Sequence, residues 1–230
     1  MIKKALRVAL GRDPNIAPDL DLPTERHGSA YGGWTIHPPL DRDSVIYSFG
    51  VGEDMSFDLA LIERYGVTVH AFDPTPRSIA WVRQQQPPER FRLHEYGLAD
   101  YDGNATFHPP ANPEHVSHSL LGRSDSAGSA ISVPVRRLAT LMAELGHQRI
   151  DLLKMDIEGA EYAVLQDIAG LSIGQILVEF HHRFKDVGVT RTRAAVALLR
   201  ERGYRLFAVS PSGEEYSFLG HANGPLEDIR

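Results

Sequence analysis

From residue 45 onward the chain alternates between short apolar runs and longer segments with a helical repeat. Val45-Ile-Tyr-Ser-Phe49 is β-branched and aromatic and stops at Gly50, which predicts a parallel strand buried on both faces. Residues 56–65 place Phe57, Ala60, Leu61 and Tyr65 on one helical face, and Gly66 closes that helix. Val67-Thr-Val-His-Ala-Phe72 predicts a second strand, and 75–86 a second helix with Pro76 in its first turn. A third strand spans 91–96, after the Pro87-Pro88 turn. Strands over 131–135, 150–155 and 176–180, with helices over 138–145, 160–168 and 191–202, continue the pattern. Residues 204–209 and 215–219 flank only Ser210-Pro-Ser-Gly-Glu214, so these last two strands form an antiparallel hairpin.

Two stretches depart from the alternation. In residues 1–40, the Pro- and Asp-rich run 13–24 reads as an irregular arm, and Tyr31-Gly-Gly-Trp34-Thr-Ile as a short strand or hairpin edge. Residues 108–129, with His108, His115 and His118, lack periodicity and read as a functional loop or lid. Those histidines have no spacing that singles out a metal site. The expected organisation is therefore an arm over 1–40 that covers the substrate side, and one α/β domain over 41–230.

Composition narrows the function classes. Hydrophobic residues are 42% and charged residues 23% of the 230, an ordinary globular balance. The net charge of −6 argues against a protein whose main work is gripping nucleic acid. The chain has no cysteine, which removes disulfides, thiolate metal sites and a thiol nucleophile. No apolar run is long enough to span a bilayer, and the basic N-terminus lacks a cleavage signal, so a cytoplasmic protein is expected.

Candidate chemistry lies where the strands end. Ser48-Phe49-Gly50-Val-Gly52-Glu53-Asp54 follows the first strand, where glycines let backbone approach a ligand. The third glycine of a dinucleotide fingerprint would fall at Met55, so that pattern fails. Glu53 and Asp54 would repel a pyrophosphate and suit a cationic ligand. Asp73-Pro74 ends the second strand, 23 residues after Gly50, where an acid accepts hydrogen bonds from ribose hydroxyls or caps the next helix. Lys154-Met-Asp156-Ile-Glu158-Gly159-Ala-Glu161 closes the strand over 150–155. A lysine buried in mid-strand is expected to meet a carboxylate. Asp156, Glu158 and Glu161 can also cap the next helix, a reading preferred for Glu161. Glu179-Phe-His181-His182 ends the strand over 176–180. Either histidine has a side chain suited to general-base work, with Glu179 to orient it, and the cluster could hold a divalent metal.

The run from Lys154 to Glu161 resembles the FkbM-type methyltransferase family, whose hallmark is Lys-x-Asp-x-Glu-Gly-x-Glu. Ala71-Phe-Asp-Pro-Thr-Pro76, Ser117-His-Ser119-Leu, Val133-Pro-Val-Arg-Arg-Leu138 and residues 176–180 are similar to other family segments in the same order. The chain departs where the family carries Asp-x-Gly-x-x-x-Gly, since Ser48 and Asp54 stand there, and Ala139 replaces a common Asp. The resemblance implies a Rossmann-like class I methyltransferase, with a mostly parallel seven-stranded sheet, the C-terminal antiparallel hairpin and helices on both faces. It implies S-adenosylmethionine as cofactor, S-adenosylhomocysteine as product, and a small-metabolite or saccharide hydroxyl as acceptor. Ser48, Phe49, Gly50, Gly52, Glu53, Asp73, Pro74, Gly97, Leu98 and Asp156 are the cofactor candidates. Asp156, expected beside the transferred methyl, joins Glu179, His181 and His182 as catalytic candidates. The competing readings are a non-catalytic binding domain on the same fold and a nicotinamide oxidoreductase.

Overall fold

The computed structural model describes residues 2–107, 130–184 and 186–220. The expected lid, its histidines and the Ser117–Leu120 segment lie outside the described residues. Helix α1 (Ile2–Ala9) precedes the irregular run, and strands β1 (Glu25–His27) and β2 (Trp34–Ile36) pair as a hairpin. Then follow β3 (Val45–Phe49), α2 (Ser56–Tyr65), β4 (Thr68–Phe72), α3 (Pro76–Gln85) and β5 (Phe91–His94). Next come β6 (Gly97–Leu98), β7 (Gly103–Phe107), β8 (Ile131–Arg136), α4 (Leu138–Leu145), β9 (Ile150–Met155) and α5 (Glu161–Asp167). The described chain closes with β10 (Ile173–Glu179), α6 (Gly188–Glu201), β11 (Arg205–Val209) and β12 (Glu215–Leu219).

The main sheet has seven strands in the order β11-β12-β10-β9-β3-β4-β5. All neighbours from β10 to β5 run parallel, and β12 runs antiparallel to both β10 and β11. This is the strand plan of a Rossmann-like methyltransferase. Chain order reverses between β3 and β9, so the crevice at their carboxyl ends is where ligands bind in such sheets.

Successive strand residues alternate between two apolar layers. Tyr47, Leu153 and Ile176 pack into one, and Ile46, Leu152 and Leu177 into the other. Ser48 and Lys154 share the parity of Ile46 and Leu152 and so fall on the second layer, with Trp34. The register aligns Phe49 with Phe72 and Met155, and Met155 with Val178. One residue further on, Gly50, Asp73, Asp156 and Glu179 therefore form a row along the carboxyl edge. Phe49 and Phe72 stack beneath it at 4.3 Å.

Three features were not expected from the pattern. Helix α1 occupies part of the arm. The predicted third strand stops at His94, and Gly97–Leu98 joins β7 and β8 in a separate three-stranded sheet. Strand β7 escaped notice because Gly103 and Asn104 weaken its β signal. Finally, the irregular run is anchored by ion pairs. Asp13 is fully buried and takes a two-pronged contact from Arg183, at 3.0 and 2.8 Å. Asp19, on the surface, takes a two-pronged contact from Arg200.

Candidate active site at the carboxyl edge

A cavity of about 930 Å³ opens over this row, large enough for a nucleoside-sized ligand and an acceptor together. Nine carboxylates line it among the described residues, from Glu53, Asp54, Asp58, Asp73, Asp156, Glu158, Glu179, Glu214 and Glu215, against one basic side chain, Lys154. Such a wall disfavours phosphate and favours cations.

The β3–β4 flank is built mainly of backbone. Gly50 has φ +82°, and a Cβ there would lie 1.9 Å from the Asp156 carbonyl oxygen. Only glycine lets the two strand ends approach this closely. Gly52, at φ +56°, has no protein atom within 4 Å of an added Cβ, so a side chain there would project into open space. Its N–H donates to Asp73 Oδ2 at 3.0 Å, while Asp73 Oδ1 accepts from the Thr75 N–H and hydroxyl. Asp73 thus braces the turn against α3 while lining the cavity, and the residue at the α3 cap is Thr75. Pro74, Gly97 and Leu98 form the adjoining wall with Phe107. A Cβ at Gly97 would press Pro74 and Val135 at 3.2 and 3.1 Å.

Two of these carboxylates, Glu53 and Asp54, are partnered within the chain. Glu53 pairs with Arg77 at 2.7 Å. Asp54 accepts from the Ser56 N–H and from the Ser29 hydroxyl at 2.7 Å, which fastens loop 28–33 to the turn. Burial opposes the charge of Asp54, but these hydrogen bonds outweigh it and hold its carboxyl below the usual range. Tyr31, 91% exposed, stands at the cavity mouth, and Trp34, buried in the core, also reaches the cavity wall.

The β9–β10 flank is built from charge. Lys154 does not form the expected ion pair. Its Nζ donates to the carbonyls of Phe49 and Gly50 at 3.1 and 2.6 Å and stands 5.4 Å from the Trp34 ring centre. Among the described residues no carboxylate comes within 4.0 Å of it. The lysine therefore caps the exposed carbonyls of the glycine turn. Glu158 is held in the left-handed region at φ +51°, a strained conformation of the kind that collects at functional sites.

His181 lies just behind Asp156, Glu158 and Glu179. Its Nδ1 faces Glu161 Oε1 at 3.2 Å, and its Nε2 faces Asp156 and Glu158 at 3.7 and 3.6 Å. Burial opposes its charge, but the Glu161 hydrogen bond and the surrounding carboxylates push its pKa up to about 10. Both ring nitrogens are thereby donors, and a protonated imidazole cannot serve as a base. Its orienting partner is Glu161 rather than Glu179. Glu161 itself is fully buried and also accepts from the Gly159 and His181 N–H groups. It thus staples the β9 turn to the end of β10, more than it caps α5. Glu179 faces the cavity beside Asp156; burial, then the Asp156 charge, push its carboxyl up to about 9.

His182 points elsewhere. It is buried, absent from the cavity wall, and meets Asp13 at 3.3 Å. Burial pulls its pKa down against the pull of Asp13. The structure therefore brings Asp156, Glu179 and His181 together and sends His182 to the arm. Atoms of those three come within 4.8 Å of one another, close enough to share a divalent cation, although the Nδ1 of His181 is already bonded to Glu161. Asp58 on α2, also in the wall, had no signal in the sequence because it reads as an ordinary first-turn acid.

The fold and the row of glycine and acidic residues at one sheet edge define a Rossmann-like methyltransferase domain. Comparison with known proteins makes this specific: the Methyltransferase FkbM domain matches residues 45–206, and the chain belongs to that family. It is 28% identical over 212 residues to the probable methyltransferase-like protein 24 of Rattus norvegicus, covering 87% of this chain and 50% of that protein. It is 29% identical over 201 residues to the 31-O-demethyl-FK506 methyltransferase FkbM of Streptomyces tacrolimicus, covering 74% and 75%. The 2-O-methyltransferase NoeI of Sinorhizobium fredii is 32% identical over 142 residues, covering 54% and 56%. The chain thus spans about half the length of the rat protein. A nicotinamide oxidoreductase finds no support in this family. No helix among the described residues is long and apolar enough to cross a membrane.

Proposed function

We propose that this chain transfers a methyl group from S-adenosylmethionine to a hydroxyl of a small, phosphate-free acceptor such as a saccharide. The observation that carries the reading is the cavity wall, nine carboxylates and one lysine, at the switch point of a methyltransferase fold. Its residues fit the cofactor. In this reading Asp73 takes a ribose hydroxyl, Gly52 leaves room for the ligand, Gly97 and Leu98 offer an apolar wall for the base, and the acidic lining suits an ammonium and a sulfonium. When bound, the cofactor supplies an electrophilic methyl for in-line displacement. The names of the FkbM and NoeI relatives, both O-methyltransferases, favour a hydroxyl acceptor.

In this reading Asp156 orients the acceptor hydroxyl, and Glu179, in its ionised form, takes the proton. A base with a raised pKa is well matched to a weakly acidic hydroxyl. His181 is a positioning residue: its Nδ1–H bonds Glu161, and its Nε2 stands at ion-pair distance from Asp156 and Glu158. No step requires a divalent ion, and chelation with EDTA should leave turnover unchanged. Cytoplasmic location remains part of the proposal.

The test is transfer of labelled methyl to neutral saccharides, amines and phosphorylated sugars. Neutral hydroxyls should be methylated, and Asp156→Asn or Glu179→Gln should lower turnover by about 10²–10⁴-fold at saturating cofactor. Turnover of amines alone overturns the acceptor class. Cofactor binding without turnover of any hydroxyl would favour the binding-domain reading.

A further inference from the structure

At the other end of the same strands the charge is reversed. A second cavity, of about 220 Å³, opens between the starts of β3, β4 and β5, with Arg42, Ser44, Thr68, His70, Arg92 and His147 in its wall. It is smaller than the roughly 300 Å³ at which pockets for drug-sized ligands begin, so its size suits an ion. His70 is 6% exposed, and its Nδ1 meets His94 Nε2 at 3.0 Å with the two rings stacked. Its Nε2 has no hydrogen-bond partner among the described residues and is not sealed from solvent as Ser48 Oγ is, so it opens where His70 lines the cavity. His147 stands edge-on to it at 5.0 Å, with Nδ1 committed to the Tyr47 hydroxyl at 2.8 Å. The three histidines do not converge as metal ligands would; among the described residues only Asp156, Glu179 and His181 do.

Charge says what such a pocket takes. Among the described residues neither Arg42 nor Arg92 has a carboxylate within 4.0 Å. Burial pushes the His70 pKa down to about 4, and the charges that add to this, from His94, His147 and Arg92, are all positive. Burial and then Arg92 lower His94 and His147 as well. Asp43 is the one carboxylate in the wall. Nearby, Asp41 is engaged by the Ser44 hydroxyl at 3.1 Å, and Asp151 by Arg149 at 3.2 Å and the Val45 N–H at 2.7 Å. A buried imidazole that faces a cavity beside two unpaired guanidinium groups suits an anion, which accepts from both kinds of donor. We propose that this amino-edge pocket binds a tetrahedral oxyanion, sulfate or phosphate, free or at the end of a larger molecule, through Arg42, Arg92 and the rings of His70 and His147. The site is separate from the cofactor cavity and does not depend on the cofactor reading above. A bound anion favours the charged imidazole, so binding takes up a proton and tightens as pH falls.

The test is titration of the full chain with sodium sulfate and with ribose 5-phosphate at constant ionic strength, followed by calorimetry and by the imidazole resonances. Sulfate should shift the His70 and His147 resonances, leave those of His27 and His37 in place, and bind about fivefold more tightly near pH 5.5 than near pH 7.5. Arg92→Gln, at an exposed position that folding tolerates, should weaken sulfate about tenfold, as loss of a charged hydrogen bond does. Arg90→Gln, the same change of charge two residues away and also exposed, should leave the affinity as it is. Ribose 5-phosphate binding at least as tightly as sulfate assigns the pocket to the phosphate of a larger molecule; sulfate binding alone assigns it to the free ion. Unmoved histidine resonances at millimolar sulfate, equal weakening by the two arginine variants, or an affinity that ignores pH would overturn the site.

Discussion

The two flanks of the cavity solve the same problem with different materials. On the β3–β4 side the wall is main chain, opened by glycines at positive φ and braced by one aspartate. On the β9–β10 side it is a set of buried charges, with His181 held between Glu161, Asp156 and Glu158. The first flank depends on what is missing, a Cβ. The second depends on what is present, a proton. Substitutions should separate the two.

The largest effect is expected at Gly50. Gly50→Ala adds a Cβ within contact of a carbonyl that cannot retreat without moving β9, at a φ that alanine resists. Denaturant unfolding should show a loss of about 3–5 kcal/mol. Gly52→Ala, where no atom crowds the new group, is the control and should cost only about 1–2 kcal/mol.

Next comes Glu161→Gln, which removes the buried charge opposite the imidazolium and leaves either the Gly159 N–H or the His181 donors facing an NH2 group. A loss of about 3 kcal/mol is expected. The pH dependence carries the same information. His181 holds its proton up to about 10 in the folded chain and to 6.5 when free, so its contribution is complete below 6.5 and is lost as pH rises toward 10. Glu179 acts in the same direction, because the folded chain keeps its proton to about 9 and the unfolded chain only to 4.5. The melting temperature should fall from about pH 4.5, most steeply between 6.5 and 9 where both groups act, and less steeply in Glu161→Gln. A flat profile would mean that His181 is neutral and the second flank is not organised by charge.

The smallest effect is at His182. His182→Gln loosens one contact to Asp13, which keeps both prongs of Arg183, and should cost about 1 kcal/mol. Turnover should stay within about twofold of the wild type, a difference below 0.5 kcal/mol in the barrier. A larger loss of turnover would return His182 to the site.

This asymmetry also explains which features were legible in the sequence. The β–α alternation, the terminal hairpin, α2 with its Gly66 cap and the row of motif residues could all be read from period, spacing and glycine. Backbone sites announce themselves because glycine is their only solution. Charge networks do not. Nothing in the pair His181-His182 says that neighbouring side chains point to opposite sides of β10's end, toward Asp156 and toward Asp13. Likewise Lys154 was expected to find a carboxylate, but the carbonyls of a tight turn satisfy it instead. Asp58 lay hidden for a similar reason, because its burial in the cavity wall is a property of packing.

The central claim is that this acidic cavity is a cofactor site for a cationic, phosphate-free nucleoside. Thermal unfolding of the wild-type chain in increasing S-adenosylmethionine, S-adenosylhomocysteine or NAD tests it most directly. Both sulfur ligands should raise the melting point with concentration, by the equivalent of about 2.7 kcal/mol at a hundred times the dissociation constant, while NAD leaves it unchanged. No rise with either sulfur ligand, or an equal rise with NAD, would contradict the account.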